Sequence, residues 1–334
     1  MRRRARSAPV RGVIVGAGLM GRWHGYYARR AGGEIAAIVD PKATSREHLH
    51  RSYPTARAYD DLGECLRDVA VDVAHICAPP ASHVELARTA IEAGVHALVE
   101  KPFAPTASET ESLLDLAEQT GVLLNPVHQF PFQRGFRRAV AGLERLGELI
   151  EVSFVTYSAG GAGLDAERRR QLMFEILPHP LSLFSRLLAL DVSEVPWRLS
   201  TATSDELELQ GEHQRTLLRA RIGLRARPTR NQLTIVGDRA TAHLDLFHDF
   251  GIVVSGERVS RTTKLALPFV HGGKLLAAAT ANATKRAATR ELAYPGLHAL
   301  VTAFYAAVRG EGAAPISPGE TLAIAQVIDE LRAS

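Results

Sequence analysis

The sequence predicts an α/β fold: an N-terminal doubly wound parallel sheet of the Rossmann type, joined to a C-terminal α+β domain with a mostly antiparallel, open sheet. Three observations carry this. Short apolar runs alternate with helical periodicity throughout residues 10–124, the pattern of a parallel sheet flanked by helices. After about Asn125 the rhythm changes to long two-residue alternation, as expected of half-buried antiparallel strands. No repeat or low-complexity linker separates the halves. The expected division is a disordered basic tail at 1–9, one domain at 10–124 and a second at 125–334.

Gly12–Val15 is a short apolar run ending in Gly16 and reads as a buried parallel strand. Leu19–Ala31 follows as a helix, and Glu34–Val39 as a second strand closed by Asp40 and Pro41. Thr44–Arg51 and Leu62–Asp68 read as short helices. Val71–Cys77 is the third strong strand, with Cys77 expected as a core thiol. Ser82–Ala93 is a helix stopped by Gly94, and Val95–Val99 is another strand. Thr106 stands three residues before Glu109, a capping-box pattern ahead of Leu113–Ala117, and Gly121 ends that helix. Val122–Leu124 completes the first domain.

In the second domain, strands are expected at Glu148–Tyr157, Arg198–Thr203, Thr216–Ile222, Gln232–Val236, Thr241–Leu246 and Ile252–Val254, with Gly237–Asp238 as a hairpin turn. Helices are expected at Arg134–Leu146, Pro178–Ala189, Lys274–Ala288, Gly296–Val308 and Pro318–Leu331.

Composition narrows the function. The chain has 334 residues, 40 Lys plus Arg against 36 Asp plus Glu, and a net charge of +4. Its first eleven residues hold five arginines and no acid, which leaves 35 basic against 36 acidic residues in the body. The basicity belongs to the tail, so nucleic acid is not an expected partner. Two cysteines, Cys65 and Cys77, make no disulfide framework or zinc spacing and fit a reducing, cytoplasmic setting. No apolar run reaches the length of a membrane span. The arginine-rich start lacks the apolar stretch of a signal peptide.

Gly16-Ala17-Gly18-Leu19-Met20-Gly21 is a G-x-G-x-x-G sequence between a predicted strand and a predicted helix. In that context the first glycine permits a tight turn, the second lets main chain approach a pyrophosphate, and the third packs helix on strand. Asp40 lies 19 residues beyond Gly21, where a carboxylate binds the adenosine ribose hydroxyls. Domain 10–124 is thus expected to bind NAD or NADP. Asp40 favours NAD because it repels a 2′-phosphate, while Lys42 and Arg46 offset it.

Two further stretches, Ala78-Pro79-Pro80-Ala81-Ser82-His83 and Glu100-Lys101-Pro102, follow the next two strands. With the glycine loop and the α+β second half, they make the chain resemble the Gfo/Idh/MocA family of NAD(P)-dependent oxidoreductases. The resemblance implies that Lys101 sits beside nicotinamide and substrate as a catalytic residue, before a frequently cis Lys–Pro bond. It also implies a cofactor shell of Gly16, Gly18, Leu19, Met20, Gly21, Asp40, Ala78, Pro79, His83, Glu100 and Lys101. The family usually has T-P-N-x-x-H where this chain has Ala78 and Pro80 in place of Thr and Asn. Independently of family, a lysine at the carboxyl end of a buried strand stands where doubly wound sheets bind ligands and suits an alkoxide or polarised carbonyl.

The family's D-x-x-x-H is matched by Glu175-Ile176-Leu177-Pro178-His179. Glu175 replaces Asp, Leu177 replaces the usual Gly, and Ser182 replaces a later Asp. The resemblance makes His179 the proton-transfer residue, with Glu175 as its partner. Pro178 fits the first turn of a helix, which puts His179 near a helix N-terminus, where the dipole favours a neutral ring ready to accept a proton and a nearby Glu175 acts in the opposite direction. His128, Gln129 and Tyr157 are candidate substrate contacts, ordinary sheet or hinge residues being the competing reading. The remaining histidines show no ligand-like pairing. His243 and His248 would face opposite sides of a strand, and no metal site is expected.

The expected activity is hydride transfer between nicotinamide and a hydroxyl or carbonyl carbon of a sugar, cyclic polyol or nucleotide-sugar. Reduction of a C=N or C=C bond, or a non-catalytic dinucleotide-binding regulator, are the alternatives. Residues 125–334 would bind substrate and form a homo-oligomer, dimer or tetramer. No membrane partner is expected.

Overall fold

The computed structural model describes residues 8–203, 205–256, 261–291 and 293–333. The expected tail at 1–9 therefore lies, for residues 1–7, outside the described residues. The chain divides into two units, Met1–Val127 with Leu297–Leu322, and His128–Gly296 with Ala323–Ser334.

The first unit begins with β1 (Arg11–Val15), α1 (Leu19–Arg30), β2 (Glu34–Val39), α2 (Ala43–His50), β3 (Arg57–Tyr59), α3 (Leu62–Asp68), β4 (Val73–Ile76) and α4 (His83–Glu92). It continues with β5 (His96–Val99), α5 (Ala107–Thr120) and β6 (Leu124–Pro126). The six strands are parallel in the order β3-β2-β1-β4-β5-β6. The apolar runs form the strands because both faces are buried: Val13, Val15, Ala37, Val39, Ala74, Ile76, Ala97 and Val99 share one core with helix residues Leu62, Ala87, Ile91 and Leu113. Thr106 caps α5, its Oγ1 accepting from Glu109 N at 3.1 Å and donating to Glu109 Oε2 at 2.8 Å, and Gly121 closes the helix at φ +69°.

The sequence missed one element and one expectation changes. β3 has only three residues and too little periodicity to register. Cys77 is not a core residue: β4 ends at Ile76, and Cys77 is half-buried in the loop beyond it.

The second unit contains α6 (Arg134–Val140), β7 (Leu149–Tyr157), α7 (Ala166–Phe174), α8 (Pro178–Leu188), β8 (Arg198–Thr203), β9 (Glu206–His213) and β10 (Thr216–Gly223). It goes on through β11 (Arg230–Gly237), β12 (Ala240–Asp245), β13 (Phe250–Ser255) and α9 (Arg261–Thr289). Its seven strands run β13-β12-β11-β7-β10-β9-β8. All neighbours are antiparallel except β7 and β10. One face is the core: Val152, Phe154, Leu218, Ala220, Leu233 and Ile235 pack with Leu181, Phe184 and Leu187 of α8.

α7 and β9 were not legible in the sequence. α7 opens on Ala-Glu-Arg-Arg-Arg-Gln and buries only Met173 and Phe174. β9 alternates Leu207 and Leu209 with glutamates whose polarity masks the strand. The helix expected over Arg134–Leu146 stops at Val140, because Gly142 breaks it before a 3₁₀ turn at Leu143–Leu146. α9 begins well before the expected Lys274 and runs through Pro268.

The last helices are α10 (Leu297–Val308) and α11 (Pro318–Ala333). α10 belongs to the first unit, where Tyr305 and Phe304 are fully buried. The sequence drew a single cut after residue 124, and helical periodicity cannot say which core an apolar face joins. No helix among the described residues is long and apolar enough to cross a membrane.

Candidate functional site

Loops at the carboxyl ends of β1, β2, β4 and β5 carry the residues that the sequence singled out. Strand order reverses between β1 and β4, and such a switch point opens a ligand crevice in doubly wound sheets.

Each glycine of the first loop has its own steric reason. Gly16 turns at φ +95°, and a Cβ there would lie 2.6 Å from the Cys77 carbonyl carbon. A Cβ at Gly21 would lie 2.0 Å from the Gly16 carbonyl oxygen, so only glycine lets α1 approach β1. At Gly18 a Cβ would meet nothing within 4 Å: space is left open there. Gly18 precedes α1 without a side-chain cap, and the first turn holds no acid. Its N–H groups are therefore uncapped by side chains, at the end of the helix that attracts anions. Leu19 is exposed beside this loop and Met20 half-buried.

Asp40 is brought to the same loop. One carboxylate oxygen accepts from Ala17 N at 2.7 Å and the other from Lys42 N at 2.8 Å. Arg46 donates to the Asp40 main-chain carbonyl. A carboxylate has about four acceptor positions, so capacity remains for a diol.

Beyond β4, Ala78 is half-buried and Pro79 exposed. Burial and the nearby Glu100 carboxylate push the Cys77 thiol well up. His83 opens α4 and is 1% exposed. Its Nδ1 lies 2.8 Å from the Pro102 carbonyl and its Nε2 2.8 Å from the Ala78 carbonyl. The sequence placed His83 in the cofactor shell. Its ring nitrogens face one carbonyl from the β4 loop and one from the β5 loop, and a neutral ring donates to one of them.

Beyond β5, the Lys101–Pro102 bond is cis, as the resemblance implies. Glu100 is 8% exposed, and its Oε2 accepts from Lys101 N at 3.1 Å. Its Oε1 faces His24 Nε2 at 3.1 Å. Lys101 is half-buried, and among the described residues its ammonium has no hydrogen-bond or ion-pair partner. The Glu100 carboxylate beside it is engaged by His24 and by the Lys101 main-chain N–H.

In the second unit, α8 begins at Pro178, so His179 occupies the first turn as expected. Its ring stacks on Phe130, with centroids 4.4 Å apart. Leu177 is fully buried, and Ser182 donates to the His179 carbonyl at 2.9 Å, so that hydroxyl is satisfied within its own helix. Glu175 ends α7 and pairs with Arg168 at 3.5 Å. The partnership expected with His179 thus competes with an arginine that the sequence did not flag.

The candidate substrate contacts fare unequally. Gln129 is half-buried before a 3₁₀ turn. Tyr157 shares a strand face with Ser153 and Val155, opposite the buried Phe154, and its hydroxyl engages Glu206 and Arg221. It is a residue of the outer sheet face, away from the face that packs α8. His128 is 2% exposed, and its Nδ1 has no hydrogen-bond partner among the described residues.

Burial, helped by the Arg186 charge, lowers the His128 pKa to about 3. Below its ordinary value near 6.5 the unfolded chain gains a proton that the folded chain refuses, so stability falls with pH until the folded pKa is reached. The expected result is a loss of about 1.4 kcal/mol per pH unit from this histidine between roughly pH 6 and 4. Urea unfolding at a series of pH values checks it. A His128→Leu variant with an unchanged acid limb contradicts the assignment.

His243 and His248 do not face opposite sides. β12 ends at Asp245, and His248 sits in the turn beyond, paired with Asp245 at 2.8 Å. Both line a cavity of about 870 Å³ between the sheet and α9, where His243 stacks on His271. Sequence reasoning also missed His24, whose spacing three residues after Gly21 puts it on the α1 face toward the sheet. Among the described residues, no cluster of His, Cys, Asp or Glu is placed to hold a metal ion.

Comparison with known proteins gives a family match and a shared fold. Residues 10–128 match the model of an oxidoreductase family with an NAD-binding Rossmann fold. An uncharacterised oxidoreductase of Schizosaccharomyces pombe is 33% identical over 150 residues, 43% of this chain and 41% of that protein. A myo-inositol dehydrogenase of Streptomyces leeuwenhoekii is 29% identical over 188 residues, 55% of this chain and 57% of that one. The aligned stretches thus span less than two thirds of either relative. A levoglucosan dehydrogenase, solved with NADH and levoglucosan, has the same fold at 16% identity, with a TM-score of 0.76 over 98% of this chain and 97% of that one.

Proposed function

We propose, from the match of residues 10–128 to the model of the Gfo/Idh/MocA oxidoreductase family with its NAD-binding Rossmann fold, that this chain is an NAD(P)-dependent dehydrogenase or reductase. It acts on a hydroxyl or carbonyl carbon of a sugar, cyclic polyol or nucleotide-sugar. The observation that carries the reading is the convergence of the open Gly18 turn, the Asp40 carboxylate and the unpartnered Lys101 ammonium at the carboxyl ends of one parallel sheet.

The residues fit the dinucleotide. Gly16, Gly18 and the first turn of α1 would hold its pyrophosphate, and Asp40 its adenosine ribose. When bound, the nicotinamide supplies the two-electron chemistry. The remaining work falls to side chains. Lys101 stabilises the oxygen of the reacting carbon as negative charge develops on it. His179 accepts the hydroxyl proton through a ring nitrogen in oxidation and returns it in reduction. Glu100 holds the Lys101 main-chain N–H at 3.1 Å. The sugar-like substrate class is supported by what the relatives act on, a cyclitol for one and an anhydrosugar bound in another.

Asp40 sets the preference for NAD in this reading. A carboxylate about 4 Å from a 2′-phosphate costs roughly 1–4 kcal/mol, so Asp40→Ser is expected to shift the NADPH-to-NADH ratio of affinities by about tenfold or more toward NADPH. Fluorescence titration with both cofactors reads it, and an unchanged ratio removes Asp40 from the ribose site. The activity itself is tested by incubating the protein with NADH or NADPH and a panel of keto-sugars, inososes and cyclic imines. Oxidation of cofactor with a ketone of the sugar or cyclitol class supports the proposal. Cofactor binding without turnover of any of them contradicts it.

A further inference from the structure

A chain of four buried polar side chains runs through the first unit and ends on the loop that carries Lys101. Tyr305 of α10 reaches His75 of β4, with its hydroxyl 2.7 Å from Nε2. His75 Nδ1 lies 3.0 Å from His24 Nδ1 on α1. His24 Nε2 lies 3.1 Å from Glu100 Oε1, and Glu100 Oε2 holds the Lys101 N–H. Tyr305, His75 and His24 are all 0% exposed. Room is made for the tyrosine by glycine: a Cβ at Gly33 would lie 2.5 Å from its ring.

We propose that Tyr305, His75 and His24 are positioning residues that orient Glu100, and through it the main chain of Lys101, by a hydrogen-bond chain with one fixed direction. This rests on the reading of Lys101 as the catalytic cation.

Donor counting fixes the direction. A buried phenol must donate its proton, and the acceptor that Tyr305 has is His75 Nε2. His75 then carries its proton on Nδ1 and donates to His24 Nδ1. His24 in turn carries its proton on Nε2 and donates to Glu100. Every bond points toward the carboxylate. Burial pushes the Tyr305 phenol well up and the His75 ring well down, so a protonated phenol and a neutral imidazole are the forms this burial favours.

Apolar side chains would fill the same volume without the desolvation cost of these groups. The chain is fully satisfied, and such networks fix one geometry rather than add stability. The geometry fixed here is that of the residue pair Glu100 and Lys101. Displacement of a reacting group by about 1 Å can cost on the order of a hundredfold in rate, so control of this loop matters to chemistry more than to folding.

The test uses the full-length protein labelled with ¹⁵N-histidine and ¹⁵N-lysine. The wild type is expected to show His75 as the Nδ1–H tautomer and His24 as the Nε2–H tautomer. Tyr305→Phe removes one hydroxyl and keeps the ring. It is expected to abolish the fixed His75 tautomer and shift the Lys101 amide resonance. It should also lower kcat by about tenfold on the fastest ketone of the panel, with NADH affinity within about twofold. His24→Gln, which keeps an N–H toward Glu100, is expected to retain about tenfold more activity than His24→Leu. Reversed tautomers in the wild type, or an unmoved Lys101 amide in Tyr305→Phe, overturn the proposal. Lys101→Ala separates the two claims. Full turnover there defeats the catalytic reading of Lys101, and a shifted Lys101 amide in Tyr305→Phe still supports the positioning chain.

Discussion

Lys101→Ala is expected to lower kcat by about 10²–10³-fold, the loss seen when a preorganised group facing developing charge is removed. Dinucleotide affinity should stay within about twofold. The split follows from what each part of the residue touches. The Lys101 N–H is bound by Glu100, and that main-chain bond survives the substitution. The ammonium has no partner among the described residues, so its removal strands no buried charge. A melting temperature close to wild type is expected for the same reason. Lys101→Arg should not rescue, because a planar guanidinium replaces a compact point charge. Steady-state kinetics and a cofactor titration on one preparation check this. Turnover that survives the alanine substitution contradicts it.

The second large effect is at the glycine loop. Gly18→Val is expected to weaken dinucleotide binding by about a hundredfold or more, equivalent to roughly 3 kcal/mol, while the protein melts as before. Gly18 has φ −74°, which any residue adopts, and a Cβ there meets nothing within 4 Å. The fold therefore tolerates valine, and the open space it fills is the space the pyrophosphate needs. Gly21→Ala is the contrasting variant. Its Cβ would fall 2.0 Å from a main-chain oxygen, so α1 must move and the melting temperature should drop. Equal loss of stability in both variants contradicts the division of labour between these glycines.

The first domain was legible because its signals are local. A glycine loop, a strand-end aspartate and a capping box each occupy a few adjacent residues, and β1, α1, β2 and α5 fall where the sequence puts them. β3, α7 and β9 escaped because their residues are few or mostly polar, so periodicity carried little apolar contrast. His24 and Tyr305 escaped for another reason. His75 and Tyr305 are 230 residues apart in the chain, and no local pattern joins β4 to α10. His83 was legible as a residue of interest, yet its place between two carbonyls was not, since these come from separate loops. Glu175 shows the same limit, because its arginine partner lies in a helix that the sequence did not reveal.

Transfer of isotope from cofactor to substrate tests the central claim most directly. NADH carrying deuterium at the transferable C4 position is incubated with the wild-type protein and the fastest ketone of the panel. The account predicts deuterium on the new carbinol carbon of the product, with the label almost absent from the same incubation with Lys101→Ala. Cofactor oxidation that leaves no deuterium in the product, or equal labelling by wild type and Lys101→Ala, would contradict it.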